Sequence, residues 1–309
     1  MDLALSILPL VLVIATGWAL VASNVLPKEQ WQGIEVLSFR ILIPALLLLA
    51  ISRADLSLEK DGVFALILLA SFVVMSLIAL ALRALVPQHA LPNPAFTSVF
   101  QATTRWNGFI ALAAADLIHG AEAVTLIAVA MAVLIAPINA VNITVLAIYG
   151  TAKASVTGVL RTIIRNPLVQ ASLAALALNL SGLAMPAPLE GALDLVAKAA
   201  LGIGLLAVGA GIRLRRLLRP SFRVAAGVGL RLFVGPAVFL ALAALAGLGP
   251  LQIQMGALGM AVPAAANGYI VARQMGGDAE LYADILTWQT ILSMALLPVL
   301  VAFLAVPTG

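Results

Sequence analysis

The sequence predicts an all-α integral membrane protein with ten transmembrane helices. The 309 residues are 63% hydrophobic and only 10% charged, and their mean hydropathy is +1.14. A water-soluble domain carries about a quarter of charged residues, so this composition excludes a soluble enzyme and a nucleic-acid-binding protein. Because one spanning helix takes about 20 apolar residues, a chain of this length has room for roughly ten helices in a lipid bilayer.

The apolar runs are separated by short polar segments, and each has about the length of one spanning helix. They cover residues 4–23, 33–52, 62–86, 95–118, 122–149, 167–185, 190–212, 222–247, 250–272 and 281–306. We number them as spans one to ten. The first span is not a cleavable signal peptide, because it lacks a basic start and is about as long as a full span.

Basic residues are distributed unevenly over the nine predicted loops. Eleven Lys or Arg residues fall in the odd-numbered loops and only two, Arg53 and Lys60, in the even-numbered ones. Loops rich in basic residues stay on the cytoplasmic side of a membrane. We therefore expect a multi-pass protein of the bacterial inner membrane with both termini on the outer, periplasmic side.

An internal repeat relates the two halves of the chain. A shift of about 160 residues places spans one to five on spans six to ten, with Asn107 on Asn267 and Pro137 within one residue of Pro298. A unit with five spans enters the membrane from the opposite side in its second copy, which is the inverted repeat of many secondary transporters. The predicted units are residues 1–150, a cytoplasmic connector at residues 151–165, and residues 166–309.

Spans four and nine contain polar, glycine or proline residues at mid-depth, in matching places of the two units. The segments are residues 101–108 and 259–268. Such residues interrupt the helical hydrogen bonds, which membranes tolerate only where the free groups face protein or a wet cavity. Two interruptions that cross near the midplane form a binding site, and the helix N-termini there favour a carboxylate or another anion.

Arg105 strengthens the prediction of an anion site. A guanidinium near the bilayer centre costs about 2.5 to 3.5 kcal/mol, and its fork of donors fits a carboxylate. The alternative is that Arg105 caps the carbonyl groups of the interrupted helix for structural reasons. The predicted substrate-binding residues are Gln101, Arg105, Asn107, Gly108, Asn139, Pro263 and Asn267.

Two acidic residues within the spans, Asp116 and Asp194, are candidates for proton coupling. Asp194 stands four residues before Lys198 on one helix face, a spacing at which the two charges neutralise each other. The centres of spans four and nine carry no carboxylate, and both histidines, His89 and His119, fall in predicted loops. The sequence therefore predicts no catalytic site, no metal site and no cofactor, with Na⁺ or H⁺ as the possible coupling ion.

Arg231 lies about nine residues inside span eight. A long basic side chain in this position snorkels toward lipid phosphates or lines a cytoplasmic vestibule. We keep both interpretations of Arg231 at this point.

Several segments of the chain together resemble the auxin efflux carrier family of transporters, within the group that includes the bile-acid sodium symporters. The segments are Arg105-Trp106-Asn107-Gly108-Phe109-Ile110, Asn166-Pro167-Leu168, Leu206-Ala207-Val208-Gly209-Ala210, Val262-Pro263-Ala264-Ala265-Ala266-Asn267 and Ala272-Arg273-Gln274-Met275-Gly276-Gly277-Asp278. One departure is clear: where the family usually has proline shortly after the asparagine of span four, this chain has Ala111-Leu112-Ala113.

The resemblance implies a fold of two inverted five-helix units with crossed, broken helices four and nine. It further implies a scaffold of spans one, two, six and seven, a mobile core, and often a homodimer through helices two and seven. The family transports indole acids such as auxin and dicarboxylates such as malonate or malate. Asn107 and Pro263 match the family's asparagine of span four and crossing proline of span nine.

The sequence as a whole therefore predicts a transporter, not an enzyme, that moves small organic anions by an elevator-like or alternating-access mechanism. No phosphate-binding loop of the ATPase type occurs in the chain, which leaves an ion gradient or the gradient of the substrate as the driving force. One alternative is a sodium-coupled symporter of the bile-acid type. The other is a membrane sensor that binds a ligand without transporting it.

Overall fold

The protein is helical throughout the residues that the structure describes, which are 8–53, 60–150, 156–214 and 221–304 of a computed structural model. We label the helices in chain order α1 (Leu8–Ala22), α2 (Lys28–Leu37), α3 (Ile43–Ser52), α4 (Lys60–Leu85), α5 (Asn93–Thr104), α6 (Gly108–His119), α7 (Ala121–Tyr149), α8 (Val156–Ile164), α9 (Pro167–Ser181), α10 (Ala187–Ala210), α11 (Phe222–Gly229), α12 (Gly235–Ala246), α13 (Pro250–Ala261), α14 (Asn267–Met275) and α15 (Ala279–Phe303). Every predicted apolar run coincides with one of these helices or with a consecutive pair.

In two of the consecutive pairs, the two helices are joined into one continuous helix. The π-helical turn Ser38–Leu42 joins α2 to α3, and the π-helical turn Leu230–Val234 joins α11 to α12. Pro44 and Pro236 stand just inside α3 and α12. A proline removes one backbone N–H and disturbs the preceding turn, which accounts for a widened turn immediately before each proline.

Six helical stretches are long and apolar enough to cross a membrane. They are Glu29–Ser52, Gly62–Leu85, Ala121–Tyr149, Ala187–Ala210, Phe222–Ala246 and Ala279–Phe303. The helices Leu8–Ala22 and Pro167–Ser181 are apolar but shorter. The remaining two predicted spans are the interrupted pairs α5/α6 and α13/α14. The structure thus shows a multi-pass membrane protein, in agreement with the composition.

One group of helices is held together by extensive pairing of α1 with α10 and of α9 with α3. The backbones of α1 and α10 approach so closely that both need glycine at the contact. A Cβ atom at Gly17 would overlap the carbonyl of Leu206, and a Cβ atom at Gly209 would overlap the carbonyl of Ile14. Small residues allow such close packing of helices in a membrane, so these four helices form a tight group.

The other group surrounds the two interrupted pairs. Helix α4 packs on α12 and on α5, α12 packs on α13, and the long helices α7 and α15 pack along the interrupted pairs. Large buried side chains fill this group, including Phe64, Phe96, Phe100, Phe239 and Tyr282. The interrupted pairs therefore lie in the interior of the helix assembly, where their breaks are screened from lipid.

The predicted connector between the two units contains a helix that the sequence analysis did not anticipate. Residues 156–164 form α8, which contacts both α7 and α9. The sequence analysis assigned helices only to apolar runs that are long enough to span a membrane, and a nine-residue helix is shorter than that. The first five connector residues, 151–155, lie outside the described residues, as do residues 215–220 of loop seven.

We predict that Gly209→Ala destabilises the protein by about 1 to 3 kcal/mol, because the new methyl group must push α1 away from α10. The matched change on the same helix is Gly202→Ala, where an added Cβ meets nothing within 4 Å. This control should be neutral or stabilising by about 0.5 to 1 kcal/mol, because alanine favours a helix over glycine. Thermal unfolding of both variants in detergent measures the difference; equal melting temperatures would contradict the close contact.

Candidate functional site

The first break separates α5 from α6 over three residues. Arg105 and Asn107 have extended backbone conformations, with ψ of 153° and 99°. The amide side chain of Asn107 caps α6, since its Oδ1 accepts hydrogen bonds from the N–H groups of Phe109 at 3.0 Å and Ile110 at 3.2 Å. An asparagine N-cap satisfies two of the free N–H groups that a helix start exposes.

The second break separates α13 from α14 and is satisfied mainly by side chains of α15. The N–H of Ala264 donates to Oε1 of Gln289 at 2.9 Å, and the hydroxyl of Tyr282 donates to the carbonyl of Ala265 at 2.5 Å. Gly268 lies so close to the Tyr282 ring that any side chain there would overlap it. The break is thus held by its neighbour in the assembly instead of by its own side chains.

The two breaks are joined directly. The backbone N–H of Asn107 donates to the carbonyl of Pro263 at 2.8 Å. We call this contact, with the residues 105–107 and 262–266 that flank it, the junction. Both Asn107 and Pro263 were predicted from the sequence as site residues, and the structure brings them together. Helices α6 and α14 both begin at the junction, so both positive helix ends point toward it.

Gln289 is a central residue of the junction that the sequence analysis missed. Its Nε2 donates to the carbonyl of Ala102 at 3.0 Å and to that of Gly227 at 2.9 Å, while its Oε1 accepts from Ala264. One fully buried side chain therefore ties α5, α11 and the second break to α15. A glutamine in the middle of an apolar span is the only signal that could have indicated this role.

The position of Arg231 contradicts one of the two interpretations that the sequence left open for it. Its side chain is 3% exposed and does not snorkel to lipid. Instead Nε donates to the carbonyl of Val262 at 2.9 Å and Nη2 to that of Gly259 at 2.8 Å. Arg231 therefore caps the free carbonyl end of α13, which is the structural role that the sequence analysis considered for Arg105.

Arg105 forms a different kind of contact. Its Nε donates to Oε1 of Gln101 at 3.1 Å and its Nη1 to Oδ1 of Asn139 at 3.1 Å. We call Gln101, Arg105 and Asn139 the guanidinium cluster. Nη2 of Arg105 and Nε2 of Gln101 are buried and have no hydrogen-bond partner. An unpaired buried donor is costly, so two of them together indicate a place for an acceptor.

The interior around the junction is positively charged. Arg105 and Arg231 are both 3% exposed. The ion pairs seen between described residues lie elsewhere, at Arg53–Glu190, Lys198–Asp194 and Arg213–Glu280. No ion pair between described residues involves either guanidinium group, so the two leave a positive potential in a region of low dielectric constant, which attracts an anion.

The two acidic candidates for coupling lie away from the junction. Asp116 is exposed near the end of α6, about two turns beyond its start. Asp194 lies on α10 and pairs with Lys198 at 2.5 Å, which confirms the predicted neutralisation. His119 is the last residue of α6, not a loop residue, and its Nε2 lies 2.6 Å from Oε1 of Gln254. No group of metal-ligating residues is found among the described residues.

Two spaces border the junction. The first is lined mainly by apolar side chains of α4, α7 and α13, together with Thr103, Thr104, Trp106 and Arg231. The second lies between the junction and the end of α10. Its lining residues are Asn107, Val208, Gly211, Ile212, Ala266, Leu286, Thr287 and Thr290. This second space separates the group of interrupted helices from the group of α1, α3, α9 and α10.

Two further predicted site residues have distinct surroundings. Gly108 starts α6, and a side chain there would meet the Met131 side chain 2.7 Å away. Asn267 starts α14, and its Oδ1 is buried without a hydrogen-bond partner. The missing family proline has little effect on the break, because Ala111 and Ala113 lie inside the regular helix that follows the three extended residues.

The comparisons with known proteins agree with the family resemblance. Residues 151–301, the second half of the chain, match the family model described as membrane transport protein, which is the domain of the auxin efflux carrier family. No curated protein was found to match the chain. The match confirms the predicted family resemblance, and a transporter family is consistent with a protein that is not an enzyme.

We predict that Gln289→Leu lowers the stability of the protein strongly. The change leaves the Ala264 N–H without its partner and removes a donor from the carbonyls of Ala102 and Gly227. Each unsatisfied buried group costs about 1 to 3 kcal/mol. The control is Gln274→Leu at an exposed position of α14. Thermal unfolding in detergent should show a large decrease for Gln289→Leu only, and similar melting temperatures for both variants would refute the role of Gln289.

Proposed function

We propose that this chain, which carries the membrane transport domain of the auxin efflux carrier family at residues 151–301, is a secondary transporter of small organic anions. The observation that carries the proposal is the guanidinium cluster, in which a buried arginine offers a free donor beside the junction of two broken helices. Transport as the general function follows from the family. The anion, the mechanism and the coupling are the parts that we propose.

The charge of the substrate follows from the donors that await a partner. Nη2 of Arg105 and Nε2 of Gln101 are both donors, and a carboxylate offers two acceptor oxygens. Charge-assisted hydrogen bonds from arginine to a carboxylate are about twice as strong as neutral ones. A carboxylate substrate would therefore offset the desolvation of Arg105, with the N-termini of α6 and α14 adding to the attraction.

The packing of the helices supports an inverted repeat of two five-helix units. The pairing of α1 with α10 has its counterpart in the pairing of α9 with α3, as expected if spans one and six, and spans two and seven, are equivalent. Span three packs on span eight, and the long helices α7 and α15 each contain a proline, Pro137 and Pro298. The breaks after Thr104 and Ala261 are separated by 157 residues, close to the predicted shift.

We propose that the movement that carries the substrate takes place at the contact between the two helix groups. Helix α6 packs on α10, where the ring of Phe109 lies against Gly204 with no room for a side chain. The space lined by Asn107 and Ala266 lies on the same side of the junction. Alternating access by an elevator movement would shift the junction and its substrate along α10. In this proposal α1, α3, α9 and α10 form the scaffold of a homodimer through spans two and seven.

A sodium-coupled symporter remains the second candidate, and one observation favours it. The buried Oδ1 of Asn267 is an acceptor without a donor. Thr287 and Thr290 line the adjacent space, and their hydroxyl groups donate to their own helix and leave their oxygens free to accept. Such oxygens at a broken helix are suited to a coupling cation. A sensor without transport is the third candidate, distinguished by binding without flux.

The charge distribution over the loops supports the proposed placement in the inner membrane with both termini on the outer side. Five described arginines lie at or next to the helix ends that border the odd-numbered loops. They are Arg161, Arg165, Arg213, Arg223 and Arg273. Basic loops remain in the cytoplasm. Protease or labelling accessibility of the two termini in sealed cells tests this orientation directly.

We predict that Arg105→Gln abolishes anion transport and leaves the protein folded. The guanidinium is the only charged group of its cluster, and its removal takes away the charge-assisted donors. Uptake of carboxylates by proteoliposomes measures the effect, and thermal unfolding measures the fold. Unchanged transport kinetics in Arg105→Gln would refute an anion site at the guanidinium cluster.

Two further arginine variants serve as controls. Arg231→Gln should lower stability instead, because both of its bonds go to backbone carbonyls that become unsatisfied. Arg53→Gln removes an arginine from an exposed ion pair, which is worth only about 0 to 1 kcal/mol, and should leave both transport and stability nearly unchanged. If all three variants changed transport and stability in the same way, the effect would come from the loss of any positive charge and not from Arg105 in particular.

We predict that carboxylates raise the melting temperature of the wild-type protein, and that Arg105→Gln removes this effect. A ligand at a hundred times its dissociation constant stabilises by about 2.7 kcal/mol. Monocarboxylates, dicarboxylates, indole acids and bile acids are each tested with and without sodium. Stabilisation that requires sodium would favour the sodium-coupled symporter over uniport or proton coupling. Stabilisation by a carboxylate that the protein does not transport would favour the sensor.

A further inference from the structure

Helix α8 lies in the chain between the two helix groups and contacts a helix of each. It lies between the end of α7 at Tyr149 and the start of α9 at Pro167. Both neighbours are apolar helices, the first long enough to cross a membrane and the second shorter. A nine-residue helix held between the ends of two such helices cannot move far from the bilayer boundary.

The exposed surface of α8 has an apolar edge beside a basic edge. Leu160 and Ile164 are 56% and 59% exposed, and Arg161 and Arg165 are also exposed. Successive residues of an α-helix are about 100° apart. Leu160 and Ile164 therefore share one edge, and Arg161 and Arg165 share the next one around the helix.

The orientation of α8 is held by its neighbours. Nε2 of Gln170 on α9 donates to the carbonyl of Ile164 at 3.1 Å, which fixes the C-terminal end of α8. The helix also contacts α7. The exposed edge with Leu160 and Ile164 therefore belongs to a helix that is held by both of its neighbours.

We propose that α8 is an interfacial helix that binds anionic phospholipid headgroups of the leaflet on its side of the membrane. The edge of Leu160 and Ile164 inserts at the boundary of the acyl chains, as in other amphipathic helices that lie in the membrane plane. Arg161 and Arg165 extend from the neighbouring edge to the lipid phosphates, which accept their donors. Neither arginine takes part in the ion pairs seen between described residues.

Phospholipid fits this surface better than a partner protein. A basic edge next to an apolar edge complements an anionic headgroup above acyl chains, and each basic residue near an anionic leaflet contributes to the attraction. Because α8 touches α7 in one helix group and α9 in the other, a lipid bound there contacts the connection between the two groups. This inference requires only a membrane protein and is independent of the substrate.

The absence of cysteine from the chain allows a direct test. Leu160→Cys is labelled with an environment-sensitive fluorophore in the full-length protein, which is reconstituted in vesicles of phosphatidylcholine alone or with phosphatidylglycerol. Asn24→Cys, at an exposed turn between α1 and α2, is the matched control. The charges are removed by Arg161→Gln with Arg165→Gln in the Leu160→Cys background.

We expect a blue-shifted emission and quenching by brominated lipid at position 160, both stronger with phosphatidylglycerol and weakened by high salt. The double arginine variant should lose the dependence on phosphatidylglycerol while keeping the same melting temperature in detergent. The proposal is overturned if position 160 stays as exposed to water as position 24. It is equally overturned if brominated lipid does not quench a blue-shifted label, which would indicate a protein contact, or if the lipid charge has no effect.

Discussion

The rest of the structure depends on the need to satisfy every backbone polar group in a lipid environment. Two helices of the chain stop and restart inside the assembly, and each stop exposes N–H and carbonyl groups that lipid cannot satisfy. The bond from the Asn107 N–H to the Pro263 carbonyl satisfies one group from each break at once. This bond therefore links the two breaks in the interior of the helix assembly.

The remaining groups of the two breaks are satisfied in unequal ways. Asn107 caps the start of α6 with its own side chain, whereas the second break takes its partners from Arg231, Tyr282 and Gln289 on other helices. The start of α6 at the first break is thus capped by a residue of the break itself. The second break depends on α15 and on Arg231, in the π-helical turn after α11. This asymmetry explains how one arginine, Arg231, has a structural role while Arg105 keeps a free donor.

The two helix groups differ in the way they are held together. Close approach of α1 and α10 at Gly17 and Gly209 gives the first group an interlocked backbone contact. The second group is held by polar bonds around the junction and by large buried side chains. Between them, Phe109 at the start of α6 packs against Gly204, and the space beside Asn107 faces the end of α10. Our proposal of alternating access uses this difference.

Much of the fold could be predicted from the sequence because membrane burial leaves a strong signal. Runs of about 20 apolar residues predicted where the apolar helices lie, and six of these helices are long and apolar enough to cross a membrane. The polar and glycine residues of 101–108 and 259–268 predicted both breaks. Asn107 and Pro263, which meet at the junction, were both among the predicted site residues. The family resemblance was also indicated by residues alone, and the family model that matches residues 151–301 confirms it.

The partners of the polar side chains were decided only by the tertiary structure. Arg105 and Arg231 look alike in the sequence, as single cations inside apolar spans, yet one contacts two side-chain amides and the other two backbone carbonyls. Gln289 stands out as a glutamine in an apolar span, but the sequence does not indicate which three segments it joins. Apolar periodicity is a local property that the chain carries along its length, whereas a hydrogen bond depends on which distant segment arrives opposite, and that is determined by packing.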